Sequence, residues 1–482
     1  MLEDSEQDTL HIAYTNDIHS HFSAMERIAE MVEQLRAQYG SSLLLLDIGD
    51  HMDRAAVETE GTLGQANVDM LNLTGYDAIT IGNNEGLTFT LEMLQQAYSG
   101  LICPVVCGNF REYATGEPPS WMNERLIIER GGMRIGLIGA TAAYPLLYNL
   151  LGIEAMDPIA AIAAEVRQMR SEVDLIIVMS HLGLQVDEEM AAKIPGIDLI
   201  LGGHTHHLLE VPLVIGDTTI SAAGKYGRYL GLITITRSKA TGKPVVTAGR
   251  CIPVNEGAGS EAIRQALEIH RAAADERMNT EIAYTDRKLE LDEKYESESP
   301  FANFLAQAVR RHTDTEISLV NSGQLLGELP QGEITWGMLH QLCPSPINPC
   351  RLLLTGEDIL YTLEQSLLPE WTGRAITGFG FRGKVLGGIC VDGMEIIYDP
   401  SRAPYQRIIQ ASIQGVPLRQ EQTYTVGTLS MFTFGNGYER IKTGKDIVYM
   451  LPDFLRDLLR HELQIPGAIE QCRLNRWIPL GK

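Results

Sequence analysis

Basic residues are scarce in this chain of 482: 39 Lys and Arg stand against 62 Asp and Glu, a formal net charge of −23. Such a chain repels a polyanionic backbone, and the short Arg310-Arg311 pair is too little to offset it. A nucleic-acid polymer is therefore excluded as a partner. Long hydrophobic runs are missing too. No stretch reaches the roughly 18 consecutive apolar residues of a membrane span, and residues 1–8 are acidic rather than shaped like a secretory signal. No membrane association is expected. Cysteine is sparse, with seven scattered residues and no C-x-x-C pair, so neither a disulfide framework nor a zinc knuckle is implied. Reduced thiols and a cytoplasmic location are the expectation. A small phosphorylated partner survives these exclusions, because bound metal ions invert the local field. The pattern shows no internal repeat and no low-complexity run, and it does not give an oligomeric state.

What is present is length and alternation. A chain of 482 residues exceeds one core, since single cores stop growing near roughly 250–300 residues. Residues 10–15, 43–48, 78–81, 103–107, 134–138, 174–179 and 198–201 read as short strands. Helical periods lie between them at 25–39, 90–98 and 158–171. Strand–helix alternation of this kind predicts an α/β domain. Near residue 255 a breaker cluster leads into a charged helix over 261–277 with few large apolar residues. Domains are expected at 1–255 and 280–482, joined by a linker helix within 256–279. The second carries helices at 300–312 and 356–367 and strands at 316–321, 385–391 and 423–428.

The chemistry sits where the strands of the first half end. The endings are Asn16-Asp17-Ile18-His19, Gly49-Asp50, Gly82-Asn83-Asn84-Glu85, Ser180-His181 and Gly202-Gly203-His204-Thr205-His206. Sites in α/β folds form beyond the carboxyl ends of the strands, so these seven potential ligands converge on one rim. Two divalent ions about 3.5–4 Å apart require several ligands each and one shared carboxylate, and stabilise the attacking and leaving oxygens of an in-line displacement. Mixed nitrogen and oxygen donors suit manganese, zinc, iron or cobalt better than calcium; magnesium stays open. Singly, each dipeptide reads as a turn or surface feature. Their ordered recurrence at strand ends is what points to a metal centre. His51, next to Asp50, and Arg54 are candidates for contact with the reacting phosphate.

At these residues the chain resembles the 5′-nucleotidase family of calcineurin-like metallophosphoesterases. The matching runs are Tyr14-Thr15-Asn16-Asp17-Ile18-His19, Asp47-Ile48-Gly49-Asp50, Ile81-Gly82-Asn83-Asn84-Glu85, Met179-Ser180-His181-Leu182-Gly183 and Gly202-Gly203-His204-Thr205-His206. The resemblance implies one ion on Asp17, His19, Asp50 and His206, and another on Asp50, Asn83, His181 and His204, with Asp50 bridging. It continues, less specifically, through Leu319-Val320-Asn321-Ser322-Gly323, Leu354-Thr355-Gly356-Glu357 and Gly435-Asn436-Gly437-Tyr438. Asn321, Gly323, Phe432, Phe434 and Asn436 are thereby candidate substrate contacts. The family's third motif carries a His and, three residues on, an Asp that form a catalytic dyad. Here Asn84 and Leu87 stand at those positions, and Leu326 replaces a usual Arg.

The resemblance implies a four-layer metallophosphoesterase sandwich followed by a second α/β domain, and hydrolysis of small phosphate esters, nucleotides above all. Two alternatives are a phosphodiesterase acting on cyclic nucleotides or nucleotide diesters, and a slow-turnover nucleotide-binding sensor. Retention of all seven ligands speaks against the sensor. The run Gly378-Phe379-Gly380-Phe381-Arg382-Gly383 fits G-x-G-x-x-G, yet a β-rich stretch follows it where a dinucleotide fingerprint needs a helix. Phe379 and Phe381 are expected to pack inside the second domain, with stacking on a base in a ligand loop as the alternative.

Overall fold

The computed structural model describes residues 9–255 and 257–480; the acidic stretch 1–8 and Glu256 lie outside them. The chain divides into two compact units, Met1–Ala274 and Asp275–Lys482.

The first unit is built on strands whose alternate residues serve two cores. Thr9–Thr15, Leu43–Asp47, Ala78–Ile79, Val105–Val106 and Met122–Asn123 run parallel, and the hairpin Tyr229–Arg237 with Pro244–Pro253 extends the sheet antiparallel beyond Thr9–Thr15. A second sheet follows the order Leu213–Ile215, Thr218–Ser221, Leu199–Gly202, Leu175–His181, Met133–Thr141, Arg125–Arg130. Leu10, Ile12, Leu44 and Leu46 of the first sheet share one core with Leu137, Leu175, Ile177 and Leu201 of the second. The intervening Ile138, Ile176, Val178 and Ile200 point the other way, onto helices Pro158–Met169 and Leu184–Lys193. This two-residue period is that of strands buried on both faces. Helices Phe22–Tyr39 and Gln65–Thr74 pack together over the first sheet. The unit is thus helix, sheet, sheet, helix, the four-layer sandwich expected. The hairpin over residues 229–253 adds two strands beyond those expected, with Leu230, Leu232, Ile233 and Ile235 all buried.

The helix Glu261–Met278 spans the division between the units. Ile263, Leu267, Ala274 and Met278 form a buried stripe along it, while Ile269 is exposed. Ala274 lies so close to Gly61 that a Cβ there would come within 2.5 Å of it. His270 pairs with Asp69 at 2.7 Å and Arg271 with Glu58 at 2.9 Å. Residues 261–274 therefore pack as part of the first unit.

The second unit centres on a five-stranded mixed sheet, Ile389–Asp392, Ile317–Asn321, Thr423–Leu429, Pro349–Thr355, Lys445–Tyr449. The helix Pro300–Thr313 packs on it, buried at every position from Phe301 to Val309. The strand predicted over 385–391 begins only at Ile389. Before it, the Leu386 carbonyl accepts from the Asn321 side chain at 2.6 Å, and Gly387 takes a φ of +74°.

The two sheets of the first unit come close together at Gly139. Its carbonyl accepts from Gly108 N at 2.8 Å, and a Cβ on it would lie 1.8 Å from the Val106 oxygen. Gly139→Ala is expected to destabilise the first unit by about 3 kcal/mol, since overpacking a filled core forces backbone shifts. A urea midpoint within error of the parent protein's would contradict this.

Candidate metal centre

Five strand ends deliver the predicted ligands. Asp17 and His19 follow Thr9–Thr15, Asp50 follows Leu43–Asp47, and Asn83 opens the helix Asn83–Thr88 after Ala78–Ile79. His181 ends Leu175–His181, while His204 and His206 follow Leu199–Gly202. The first two turns are zipped together by Asp17 N to Gly49 O at 3.0 Å, His19 N to Asp50 O at 2.8 Å and Ser20 N to His51 O at 2.9 Å. Glu85 ties in the third, accepting from Asp50 N, Met52 N and Gly82 N at 2.8–3.1 Å. Gly82 has no substitute there, because a Cβ would fall 2.0 Å from Asp50 Oδ1.

The backbone is held in a costly shape. Asp17, His19, Asp50, His204 and His206 all have φ between +47° and +73°. For residues other than glycine this left-handed conformation costs on the order of 1–3 kcal/mol each, and it concentrates at functional sites.

Side chains meet in two groups, Asp17 with His19 and His206, and Asp17 with Asp50 and His181. His19 Nε2 lies 3.2 Å from His206 Nε2, 3.7 Å from Asp50 Oδ2 and 3.8 Å from Asp17 Oδ1. His181 Nε2 is 3.3 Å from Asp50 Oδ2 and 3.9 Å from Asp17 Oδ1. Asn83 Oδ1 and His204 Nδ1 converge at 2.7 Å. All seven predicted ligands are thus brought together; Asp17 is the residue common to both groups, while Asp50, expected to be shared, belongs to the second and reaches the first only through its 3.7 Å approach to His19.

The donor set calls for cations. His181 donates Nδ1–H to Ile48 O at 2.8 Å, which leaves Nε2 buried, without a hydrogen bond, and aimed at two carboxylates. A lone pair against two anions is repulsive unless a positive charge intervenes. Burial alone would push the His181 pKa down; Asp50, with Asp17 behind it, reverses this and raises it to about 10. Burial likewise favours the neutral form of Asp50, but His181 and His19 overcome it and hold the carboxyl far below its usual range. The polarity that traps a proton here is what a divalent ion requires, and nitrogen, carboxylate and amide donors fit the transition metals named above.

Around the ligands, several expectations change. Arg54 gives Nε and Nη2 to Glu60 at 2.7 and 2.9 Å and Nη1 to Thr88 O at 2.6 Å, so its fork ties the loop together rather than waiting for phosphate. His51 is buried, with Nδ1 at 3.2 Å from the Asn67 amide and Nε2 without a partner. Burial pushes its pKa to about 3, leaving a neutral ring. Asn84, at the family's catalytic His position, places its amide 2.8 Å from His19 Nδ1, and its backbone N–H donates to Asp50 Oδ1 at 2.7 Å. Asp53 was overlooked in the sequence. Its carboxylate stands 3.4 Å from His19 Nδ1, the outer partner that fixes the tautomer of a metal-binding imidazole. Nothing in Asp50-His51-Met52-Asp53 signals that the turn brings it there.

In the second unit, Asn321 and Gly323 are buried and serve the loop at 383–388; a Cβ on Gly323 would lie 2.0 Å from Val385 O. Phe432 is wholly buried against Tyr438. These three are corrected from substrate contacts to internal packing. Phe434 and Asn436 are on the surface. Phe379 is too, contrary to expectation, at 53% exposed and stacked on Phe434 with centroids 5.7 Å apart; only Phe381 is buried.

Residues 10–208 match the calcineurin-like phosphoesterase family and residues 273–443 the 5′-nucleotidase C-terminal domain. An uncharacterized metallophosphoesterase of Bacillus subtilis, YunD, is 34% identical over 95% of this chain and 99% of its own length. The chain belongs to the calcineurin-like phosphoesterases of the 5′-nucleotidase type. This phosphoesterase is also 25% identical to the 5′-nucleotidase of Rattus norvegicus, over 90% of this chain and 84% of that protein. A putative 5′-nucleotidase from Staphylococcus aureus shares the fold, with a TM-score of 0.69 at 18% identity over 98% of this chain and 99% of that one. It follows that the chain is a phosphoric ester hydrolase whose fold implies divalent metal ions. Among the described residues no helix is long and apolar enough to cross a membrane.

Asp50→Asn removes one charge from the carboxylate that lies between His181 at 3.3 Å and His19 at 3.7 Å. Bound metal, read by elemental analysis, and turnover of an activated ester are expected to fall together by at least about 10²-fold. Full activity after chelation would overturn the metal centre.

Proposed function

We propose that this phosphoesterase hydrolyses small nucleotides, with nucleoside monophosphates as the favoured substrates. The observation that carries the reading is that all seven ligands converge within a unit of phosphoesterase fold. Two divalent ions held by Asp17, His19, Asp50, Asn83, His181, His204 and His206 supply Lewis-acid stabilisation of the attacking and leaving oxygens when bound. The protein's own part is orientation. The Asp50 carboxylate is fixed by Asn84 N–H, and His19 presents Nε2 when its Nδ1–H is taken by Asp53.

The nucleotide preference draws on the second unit and on relatives described as 5′-nucleotidases. The exposed Phe379–Phe434 pair, lying only 17° from parallel, offers flat apolar faces suited to a base. Base–aromatic stacking is worth about 1–3 kcal/mol per base. Phe434→Ala is accordingly expected to raise KM for a nucleoside monophosphate about tenfold relative to KM for nitrophenyl phosphate. Equal effects on both esters would remove the pair from base recognition.

The second reading, a nucleotide diesterase, is favoured by the loss of the dyad. An amide donates a hydrogen bond but releases no proton at ordinary pH, and the neutral His51 ring is no better a source. General acid catalysis contributes typically 10²–10⁴-fold, felt most where the leaving oxygen is poor. With metal supplied, rates across nitrophenyl, nucleoside and cyclic-nucleotide esters are expected to fall steeply with leaving-group pKa. His51→Ala slows all alike, whereas Asn84→His with Leu87→Asp raises alkyl-ester turnover selectively, by up to about 10²-fold. A flat dependence would mean that an acid other than these residues is at work.

A further inference from the structure

The strand Met133–Thr141 runs parallel to Leu175–His181 at its side, so its carboxyl end reaches the same rim, yet it supplies none of the seven ligands. Ala142 N donates to His181 O at 3.0 Å, and Ala142-Ala143-Tyr144 then leads into the short helix Pro145–Tyr148. The Tyr144 carbonyl accepts from Leu147 N at 2.9 Å and Tyr148 N at 3.0 Å, which, with the locked φ of Pro145, fixes the turn. Tyr148 is wholly buried, and a Cβ on Gly86 of the helix Asn83–Thr88 would come within 2.3 Å of its ring. The segment is thus clamped between the His181 strand and the helix that opens with Asn83.

Tyr144 itself is half-buried and meets a ligand. Its hydroxyl lies 3.4 Å from His204 Nε2, and the two rings approach at 62° with centroids 6.5 Å apart. The other nitrogen of His204, Nδ1, is 2.7 Å from Asn83 Oδ1, and these are the atoms that the two residues can offer to one ion. A neutral imidazole has one hydrogen, and the nitrogen that binds a metal cannot carry it. With Nδ1 given to an ion, Nε2–H requires an acceptor. Among the described residues the Tyr144 hydroxyl is the one within hydrogen-bond reach, and a phenolic oxygen accepts as well as donates. Two other ligand rings are held in the same manner: His181 gives Nδ1–H to Ile48 O, and His19 faces Asp53 through Nδ1.

We propose that Tyr144 is a positioning residue of the metal centre: its hydroxyl accepts the Nε2–H of His204 and so fixes this ring as an Nδ1 donor beside Asn83. The inference rests on the phosphoesterase reading of the cluster. It assigns Tyr144 to the ion of Asn83, His181 and His204, and gives it no part in holding the one on Asp17, His19 and His206. Outer partners of this kind change metal affinity by about 10–100-fold.

The test titrates the metal-free full chain with manganese in a calorimeter, which reads the affinity of each ion without turnover. Tyr144→Phe keeps the ring and removes the acceptor. One of the two binding steps is expected to weaken about tenfold while the other keeps its parent value. Turnover of nitrophenyl phosphate by this variant falls at limiting manganese and returns to the parent rate when manganese is raised, because the ligands themselves are intact. The metal-free variant melts at the parent temperature. Tyr148→Phe, which takes a hydroxyl from the same segment, keeps both affinities. Binding steps unchanged in Tyr144→Phe, a loss of turnover that added manganese does not restore, a lowered melting temperature of the metal-free variant, or an equal weakening in Tyr148→Phe each overturns the assignment. A parent chain that binds no manganese instead sinks the metal centre, and one that binds it but cleaves no ester sinks the phosphoesterase reading.

Discussion

The first unit is organised around a repulsion that only a cation can relieve. Asp17, Asp50 and the unpartnered Nε2 of His181 are driven together where water cannot separate them. The protein holds them there at a cost, in five residues of left-handed backbone and a buried Glu85 that staples the Asp50 turn to the Gly82 turn. Burial, with Asp50 close by, lifts the Glu85 pKa to about 7, so even the staple is strained by the charge it supports. Zipping of the strand-end turns, the absence of a Cβ at Gly82 and the close seam at Gly139 all serve to bring two sheets near enough for one ligand set to span them. Fold and site are a single construction.

That explains what could be read from the sequence. Each ligand is a chemically distinctive residue placed directly after a buried strand, and both features are local. The strands follow from apolar runs, and the convergence follows from the rule that α/β sites form at carboxyl ends. Asp53 could not be read this way, because its role comes from a turn that carries it back to His19, and no local pattern encodes that return. Tyr144 is the same case: it meets His204 from 60 residues away along the chain.

The second unit was less legible for a different reason. Motif resemblance identifies a position in a family but not its burial. Asn321, Gly323 and Phe432 match by type, yet the structure spends them on the loop at 383–388 and the core. The glycine-rich run around Phe379 carries no sign of which way its ring faces. A φ of +52° within a glycine-rich turn turns it outward, beside Phe434. Large exposed apolar side chains are the informative exception to burial, and two stacked together more so.

The replacement of the dyad is best understood through Asn84's neighbours. A histidine there would meet the ring of His19, which the present amide contacts at 2.8 Å. If both were protonated, two imidazolium charges would compete beside the ions. An asparagine cannot become charged, and it can turn either its oxygen or its nitrogen toward His19 Nδ1 as the tautomer demands. With Asp53 already facing that nitrogen, the asparagine secures ligand orientation at the expense of a proton donor. On the proposed reading, the exchange favours a tightly held metal centre over the cleavage of poor leaving groups. It therefore shifts the burden of catalysis onto the metal ions.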